Sequence, residues 1–268
     1  MPYRHAHWYL LALFPFIGMA FWRDYLSHMA TASIEFHAHG ITAFLWLVLL
    51  IAQSWTMSRD RRELHRTLGS FSLVLFPLFM AGGASIFMGM ADRYAMGSPF
   101  HVLHAPNLVW LDVVGVAGFA YFYFEALRLR RKVHPHSGFM LATVIFLLPP
   151  IFGRLSAIPM GVSGPETLDR MGPGIQYANL LTAALAFLIA WRRGKHGRPF
   201  MIAGLLVLLS AVLFQFVGDL PAWEAFYART AALPTAPFAL TAGLAGVVIA
   251  YAGWMAGKRL VPPAPMPA

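Results

Sequence analysis

Apolar residues run along this chain in long uninterrupted blocks, not in alternation with polar ones. Eight blocks can be drawn, at roughly 8–25, 38–57, 68–90, 107–127, 137–158, 175–191, 199–218 and 235–256. Each approaches or exceeds the ~20 residues a helix needs to cross a hydrocarbon layer about 30 Å thick. Continuous blocks exclude spanning strands, in which lipid-facing and lumen-facing residues alternate. A backbone in hydrocarbon finds no water to bond, so each segment must close its own hydrogen bonds, as a helix does. The pattern predicts an all-α, polytopic membrane bundle of about eight transmembrane helices. It forms one domain over 1–258, followed by a Pro-rich disordered tail at 259–268. Only the loops at 159–174 and 219–234 are long enough for small structure of their own.

Composition agrees, with 59% hydrophobic and 12% charged residues, against roughly 25% charged in soluble domains. The absence of cysteine removes disulfides, thiolate nucleophiles, iron–sulfur clusters and Cys-based zinc sites. The first block has no A-x-A-like exit and continues into WRDYLSH, which predicts a retained helix in place of a cleaved signal peptide.

The net charge of +9 does not read as a nucleic-acid surface, because the basic residues are spread over short loops. Fifteen of the 20 fall on one side: Arg4, Arg59, Arg61, Arg62, Arg66, Arg128, Arg130, Arg131, Lys132, Arg192, Arg193, Lys195, Arg198, Lys258 and Arg259. The other side has Arg23, Arg93, Arg170 and Arg229, with Arg154 inside a span, and most of the acids: Asp24, Glu35, Asp92, Glu166, Asp169, Asp219 and Glu224. The positive-inside bias then predicts both termini in the cytoplasm of a bacterial inner-membrane protein, with the lipid bilayer as its principal partner. Three Arg-rich turns share the form R-R-x-x-H, ending at His65, His134 and His196, a weak sign of a repeated hairpin.

Histidine carries the candidate chemistry, and its 11 copies sort into two layers. In EFHAHG, Glu35 and His39 share a helical face, while His37 is turned about 200° from His39. His101 and His104, in HVLHAPNLVWLD, are three apart and can also share a face. Pro106 suits a helix start, which would leave both in an opening turn or a preceding loop. On the Arg-rich side, His65 and His136 each begin a helix and are followed by Gly69 and Gly138, whose small size permits close approach. Imidazole pairs of this kind suit b-type haem. The pairs expected are His39 with His101 or His104, and His65 with His136, together forming an electron-transfer path to a redox partner.

Two other readings use other residues. Thioethers at Met88, Met90 and Met96, with Glu35 and His37, would suit copper handling at the periplasmic face. Asp112, Arg154, Gln53 and Gln215 are polar residues within or beside spans, the expected kit of a transporter or of a subunit that assembles with other membrane proteins. A simpler reading of two of them is an Asp112–Arg154 ion pair pinning two helices. The chain has no Walker A loop, G-x-S-x-G elbow or H-E-x-x-H. No lysine stands mid-span for a retinal Schiff base.

The segments HAHGITAFLWLVLLIAQSW, RRELHRTLGSFSLVLFP and VHPHSGFMLATVIFLLPPIFGR resemble a group of uncharacterised bacterial polytopic membrane proteins. The matching positions are His39, Trp46, Leu49, Leu50 and Gln53; His65, Arg66 and Gly69; and His136, Met140, Pro149, Pro150 and Arg154. The likeness covers roughly residues 37–154 and implies a membrane fold without an assigned activity. A remoter likeness to cytochrome b561-like proteins implies His pairs near both faces of a helical bundle. In that family the haem histidines lie within the spans, whereas most here sit at span edges.

Overall fold

A computed structural model describes residues 2–259 of the chain. The tail expected at 259–268 lies outside the described residues except for Arg259, which closes the last helix. The architecture is all-helical, and no strand occurs among the described residues. In chain order the helices are α1 Ala6–Leu11, α2 Leu13–Trp22, α3 Ile34–Ser58, α4 Arg62–Ala95, α5 Pro99–Arg128, α6 Val133–Ala142, α7 Leu148–Ser156, α8 Met171–Arg193, α9 Arg198–Phe216, α10 Pro221–Thr230 and α11 Thr235–Arg259. The two longer loops carry small structure, a 3-10 turn at Pro165–Arg170 and helix α10.

Among the described residues, seven traverses are long and apolar enough to cross a membrane: α3, α4, α5, the α6–α7 pair, α8, α9 and α11. Leu181, Leu205, Leu244 and Val248 on three of them point outward and are more than half exposed. Such a surface is suited to lipid tails and not to water. This is a multi-pass integral membrane protein.

The first apolar block is shorter, Ala6–Trp22, and a turn at Ala12 interrupts it. It still runs the length of the bundle. The His7 amide donates to Ser54 Oγ near the end of α3, at 3.1 Å, while Asp24, just past α2, meets Arg154 at the far end of α7.

Contacts between turns show that the Arg-rich segments gather at one end. Arg130 donates to the Trp254 carbonyl at 2.8 Å, and Arg193 donates to the Pro2 carbonyl at 2.8 Å. The His134 and His196 rings stack at 4.2 Å. Both ends of the described chain therefore lie at this Arg-rich end.

Helix α5 corrects one expectation. It starts at Pro99, not at Pro106, so His101 and His104 belong to its first turns. Pro99 takes the N1 position, where a missing N–H costs nothing. Pro106 is carried inside the helix, where it removes one backbone bond. Asp112 consequently stands about three and a half turns into α5, deeper than a start at Pro106 would place it.

A second irregularity lies between α6 and α7. Residues Thr143–Leu147 tighten into a 3-10 turn just before Pro149 and Pro150. The adjacent prolines lack amides and crowd the preceding turn, so the segment ahead of them cannot continue as ordinary α-helix. At the α3–α4 seam, a Cβ on Gly82 would stand 2.8 Å from the Ala38 carbonyl oxygen, so only glycine permits that approach.

The core is centred on Trp46, which is fully buried. Its ring lies 4.9 Å from Phe119, 5.4 Å from Tyr123, 6.3 Å from Phe79 and 6.4 Å from Phe76. Its indole N–H donates to Thr143 Oγ1 at 3.0 Å, and that hydroxyl donates in turn to the Met140 carbonyl. The bond joins α3 to the 3-10 turn. Trp46→Phe and Thr143→Val should each lower the unfolding midpoint in detergent. In a double-mutant cycle the two should couple by about 1 kcal/mol; additive losses would mean that the bond contributes nothing.

Candidate functional site

Among the described residues, eight buried side-chain atoms have no hydrogen-bond partner: Tyr3 Oη, His39 Nδ1, Gln53 Oε1, His65 Nδ1, Trp110 Nε1, Arg154 Nε, Asn179 Oδ1 and Tyr227 Oη. Native interiors leave few such atoms, and each asks for an explanation. Seven of them fall into two groups, separated by the Trp46 cluster.

The first group is at the Arg-rich end. The His65 and His136 rings lie 6.4 Å apart, centroid to centroid, at 87° to one another. The Ala126 carbonyl lies 2.8 Å from His136 Nδ1. A carbonyl only accepts, so Nδ1 carries the proton and Nε2 keeps its lone pair. The neighbouring ring has the complementary condition, since His65 Nδ1 is buried and bare. Gln53 Nε2 donates to the His65 carbonyl at 3.0 Å and fixes the first turn of α4.

Gly69 admits that amide, which would stand 3.3 Å from an added Cβ. Gly138 packs against Pro199 and the Tyr3 hydroxyl. Both glycines thus serve local packing beside the pair. Burial pushes the Tyr3 phenol above its ordinary pKa, while Arg193, whose guanidinium lies 4.3 Å over the ring, opposes that shift.

The second group is in the opposite half. His39 packs its ring on Phe79 at 5.8 Å. Arg154 Nε lies 3.3 Å from Asp24 Oδ2, an ionic contact whose alignment falls short of a hydrogen bond, so Nε stays bare. The same guanidinium lies 4.4 Å over Phe21 and donates to the Pro150 carbonyl. The expected Asp112–Arg154 ion pair is therefore not formed; the direct partner of Arg154 is Asp24. Tyr227, on α10, packs in a small cluster with Ala105, Val109 and Trp110. Burial pushes its phenol well above the ordinary value, and the nearby Asp112 carboxyl adds to the shift.

The remaining candidates separate. His101 bonds Ser98 through Nδ1 at 2.9 Å. His104 donates from Nε2 to the Leu168 carbonyl at 2.7 Å, tethering the Pro165–Arg170 turn. No ring contact joins either of them to His39 among the described residues. Of the two pairs expected, the structure brings together His65 with His136.

His37 turns aside, as helical geometry requires, and bonds Tyr25 Oη at 2.8 Å. Glu35 and Met96 line one shallow pocket with Gly89, Asp92 and Arg93. Met88 is wholly buried, Met90 packs beside Tyr227, and Met96 is 82% exposed, so the three thioethers do not converge. No group of three or more His, Asp or Glu suited to a metal occurs among the described residues. Gln215 is exposed, not buried, and accepts a bond from Gln176 at 3.1 Å that ties α9 to α8.

Asp24 and Tyr227 did not emerge from sequence. Asp24 had a usable signal, since an Arg inside a span requires a counter-charge at its own depth. Tyr227 had none, lying in a segment distinguished only by its length. Comparison of the chain with protein-family models, with curated proteins and with solved structures gives no match.

The His104 tether makes a local prediction. Replacing His104 with Leu should speed hydrogen exchange across residues 165–170 by roughly tenfold, about 1.4 kcal/mol for one buried bond. His101→Leu, measured by the same mass-spectrometric exchange, should leave those amides unchanged.

Proposed function

We propose that the protein is an electron carrier of the bacterial inner membrane, with both termini in the cytoplasm. In this reading His65 and His136 would hold one b-type haem at the Arg-rich end. The observation that carries it is the His65–His136 pair, with rings 6.4 Å apart and nearly perpendicular.

Two imidazoles this close can both reach one metal ion. The donor set fits as well. The carbonyl bond to His136 Nδ1 fixes the tautomer and raises the basicity of the other nitrogen, as second-shell partners of metal ligands do. His65 offers a buried nitrogen with no other engagement. The surrounding Arg-rich turns suit the anionic propionates of a haem. Bound there, the group supplies one-electron chemistry. The chain's part is to aim the two rings, to hold α4 through Gln53, and to exclude water with the Trp46 cluster above. One centre is proposed, because His39 is not paired with His101 or His104.

The test is the absorption spectrum of the chain purified from membranes and incubated with haem b, oxidised and then dithionite-reduced. A Soret band and a sharp reduced α-band are expected. Each should be lost in His65→Ala and in His136→Ala, and retained in His39→Ala, His101→Ala and His104→Ala. A wild-type chain that stays colourless, or bands that survive both inner variants, would overturn the assignment.

A further inference from the structure

We infer that the seam between α4 and α11, at the Arg-rich end, holds one anionic phospholipid. Its phosphate lies on Arg130 and one acyl chain lies along Leu73, Val247, Ala250, Tyr251 and Trp254. The inference needs no metal and stands apart from the haem assignment.

Its basis is a contrast between two arginines at the end of α5. Arg128 gives Nε and Nη2 to the two carboxylate oxygens of Glu125, at 2.8 and 2.6 Å. That edge of a guanidinium takes a carboxylate or a phosphate side-on. Arg130 spends its other nitrogen on the protein: Nη1 donates to the Leu127 carbonyl at 3.0 Å and to the Trp254 carbonyl at 2.8 Å. A guanidinium carries five N–H donors, so three remain, one on Nε and two on Nη2. These meet no protein acceptor among the described residues.

The guanidinium is nevertheless held in place. Its carbon lies 4.3 Å over the Trp254 ring, a stack that a lysine would not reproduce. Gly257 makes room for it, since a Cβ there would collide with Arg130 Nη1 and stand 2.8 Å from the Leu127 carbonyl oxygen. Arg130 is thus fixed through one nitrogen and one face, while its two-oxygen edge is uncommitted.

The apolar half of the site begins at the same tryptophan. Val247, Tyr251 and Trp254 stand at i, i+4 and i+7 and form one stripe of α11. With Ala250 and with Leu73 of α4 they line a groove of about 230 Å³. The stripe covers about 10 Å of helix, running from the ring under Arg130 into the apolar span. Val247 and Tyr251 are more than half exposed, on a helix long and apolar enough to cross the membrane. A water-soluble anion would engage Arg130 and leave this groove unused. A molecule with a phosphate at one end and hydrocarbon at the other matches both parts, and Trp and Tyr suit the level where the two meet.

Charge selects the headgroup. Arg131 and Lys132 follow Arg130, Lys258 follows Gly257, and all three are exposed. Neither α11 nor the segment 126–136 contains an acid. A headgroup with net negative charge is attracted to such a surface, whereas the ammonium of a zwitterionic one is repelled.

Native mass spectrometry of the intact chain in detergent, titrated with phosphatidylglycerol or phosphatidylcholine, tests this. The first phosphatidylglycerol adduct should form with about tenfold higher affinity than the phosphatidylcholine adduct. Arg130→Gln should abolish that preference, while Arg192→Gln, which removes the same charge at another turn, should keep it. In nanodiscs, phosphatidylglycerol with a diazirine in its acyl chain should crosslink to peptides containing Leu73 and residues 247–254. Val247→Trp, which fills the groove from an exposed position, should remove that crosslink even where Arg130→Gln fails to fold. Equal affinity for the two lipids, equal losses in the two arginine variants, or a crosslink that survives Val247→Trp would overturn the site. So would a dimer whose contact maps to Val247 and Trp254, which would give the groove to a second copy of the chain.

Discussion

Trp46 is where the bundle is tied together. Its ring is enclosed by Phe76 and Phe79 of α4 and by Phe119 and Tyr123 of α5. Its single polar atom is spent on Thr143, at the junction of α6 and α7. In hydrocarbon, helices gain little from burying apolar surface against one another, so tight packing and interhelical hydrogen bonds carry the association. One residue supplies both here. The aromatic layer it organises is also a partition: bare polar atoms lie on either side of it, and within it the polar contacts are closed, as in the 2.8 Å bond between Tyr123 and Ser72.

That partition leaves different polar groups at the two ends. The Arg-rich end holds the two imidazoles of His65 and His136, 6.4 Å apart. The far half holds the Asp24–Arg154 contact and the bare atoms of His39 and Tyr227.

Much of this was legible in the sequence, for identifiable reasons. Uninterrupted apolar blocks can only be helices in lipid, and the Lys and Arg distribution sorts their turns to one end, as the Arg130–Trp254 and Arg193–Pro2 contacts show. His65 and His136 could be paired because each begins a helix at the same end, where position along the chain nearly fixes position in space. His39, His101 and His104 could not, because their meeting depends on the rotation of each helix about its axis. That rotation was set by a start at Pro99 that the interior Pro106 obscured. Asp24 and Tyr227 belong to segments without periodicity, so only tertiary structure reveals what they face.

The 3-10 turn at Thr143–Leu147 has a consequence for which neighbours this span meets. His136 and Arg154 are 18 residues apart, which on an unbroken α-helix of 3.6 residues per turn is five whole turns. The two side chains would then point the same way. Each 3-10 residue advances about 120° in place of about 100°, so five of them add roughly 100° of rotation. The proline pair thus works as a phase shifter. Ahead of it the chain presents an imidazole to α4; beyond it, the same span swings its one cation round toward α2, and a single traverse addresses two different neighbours.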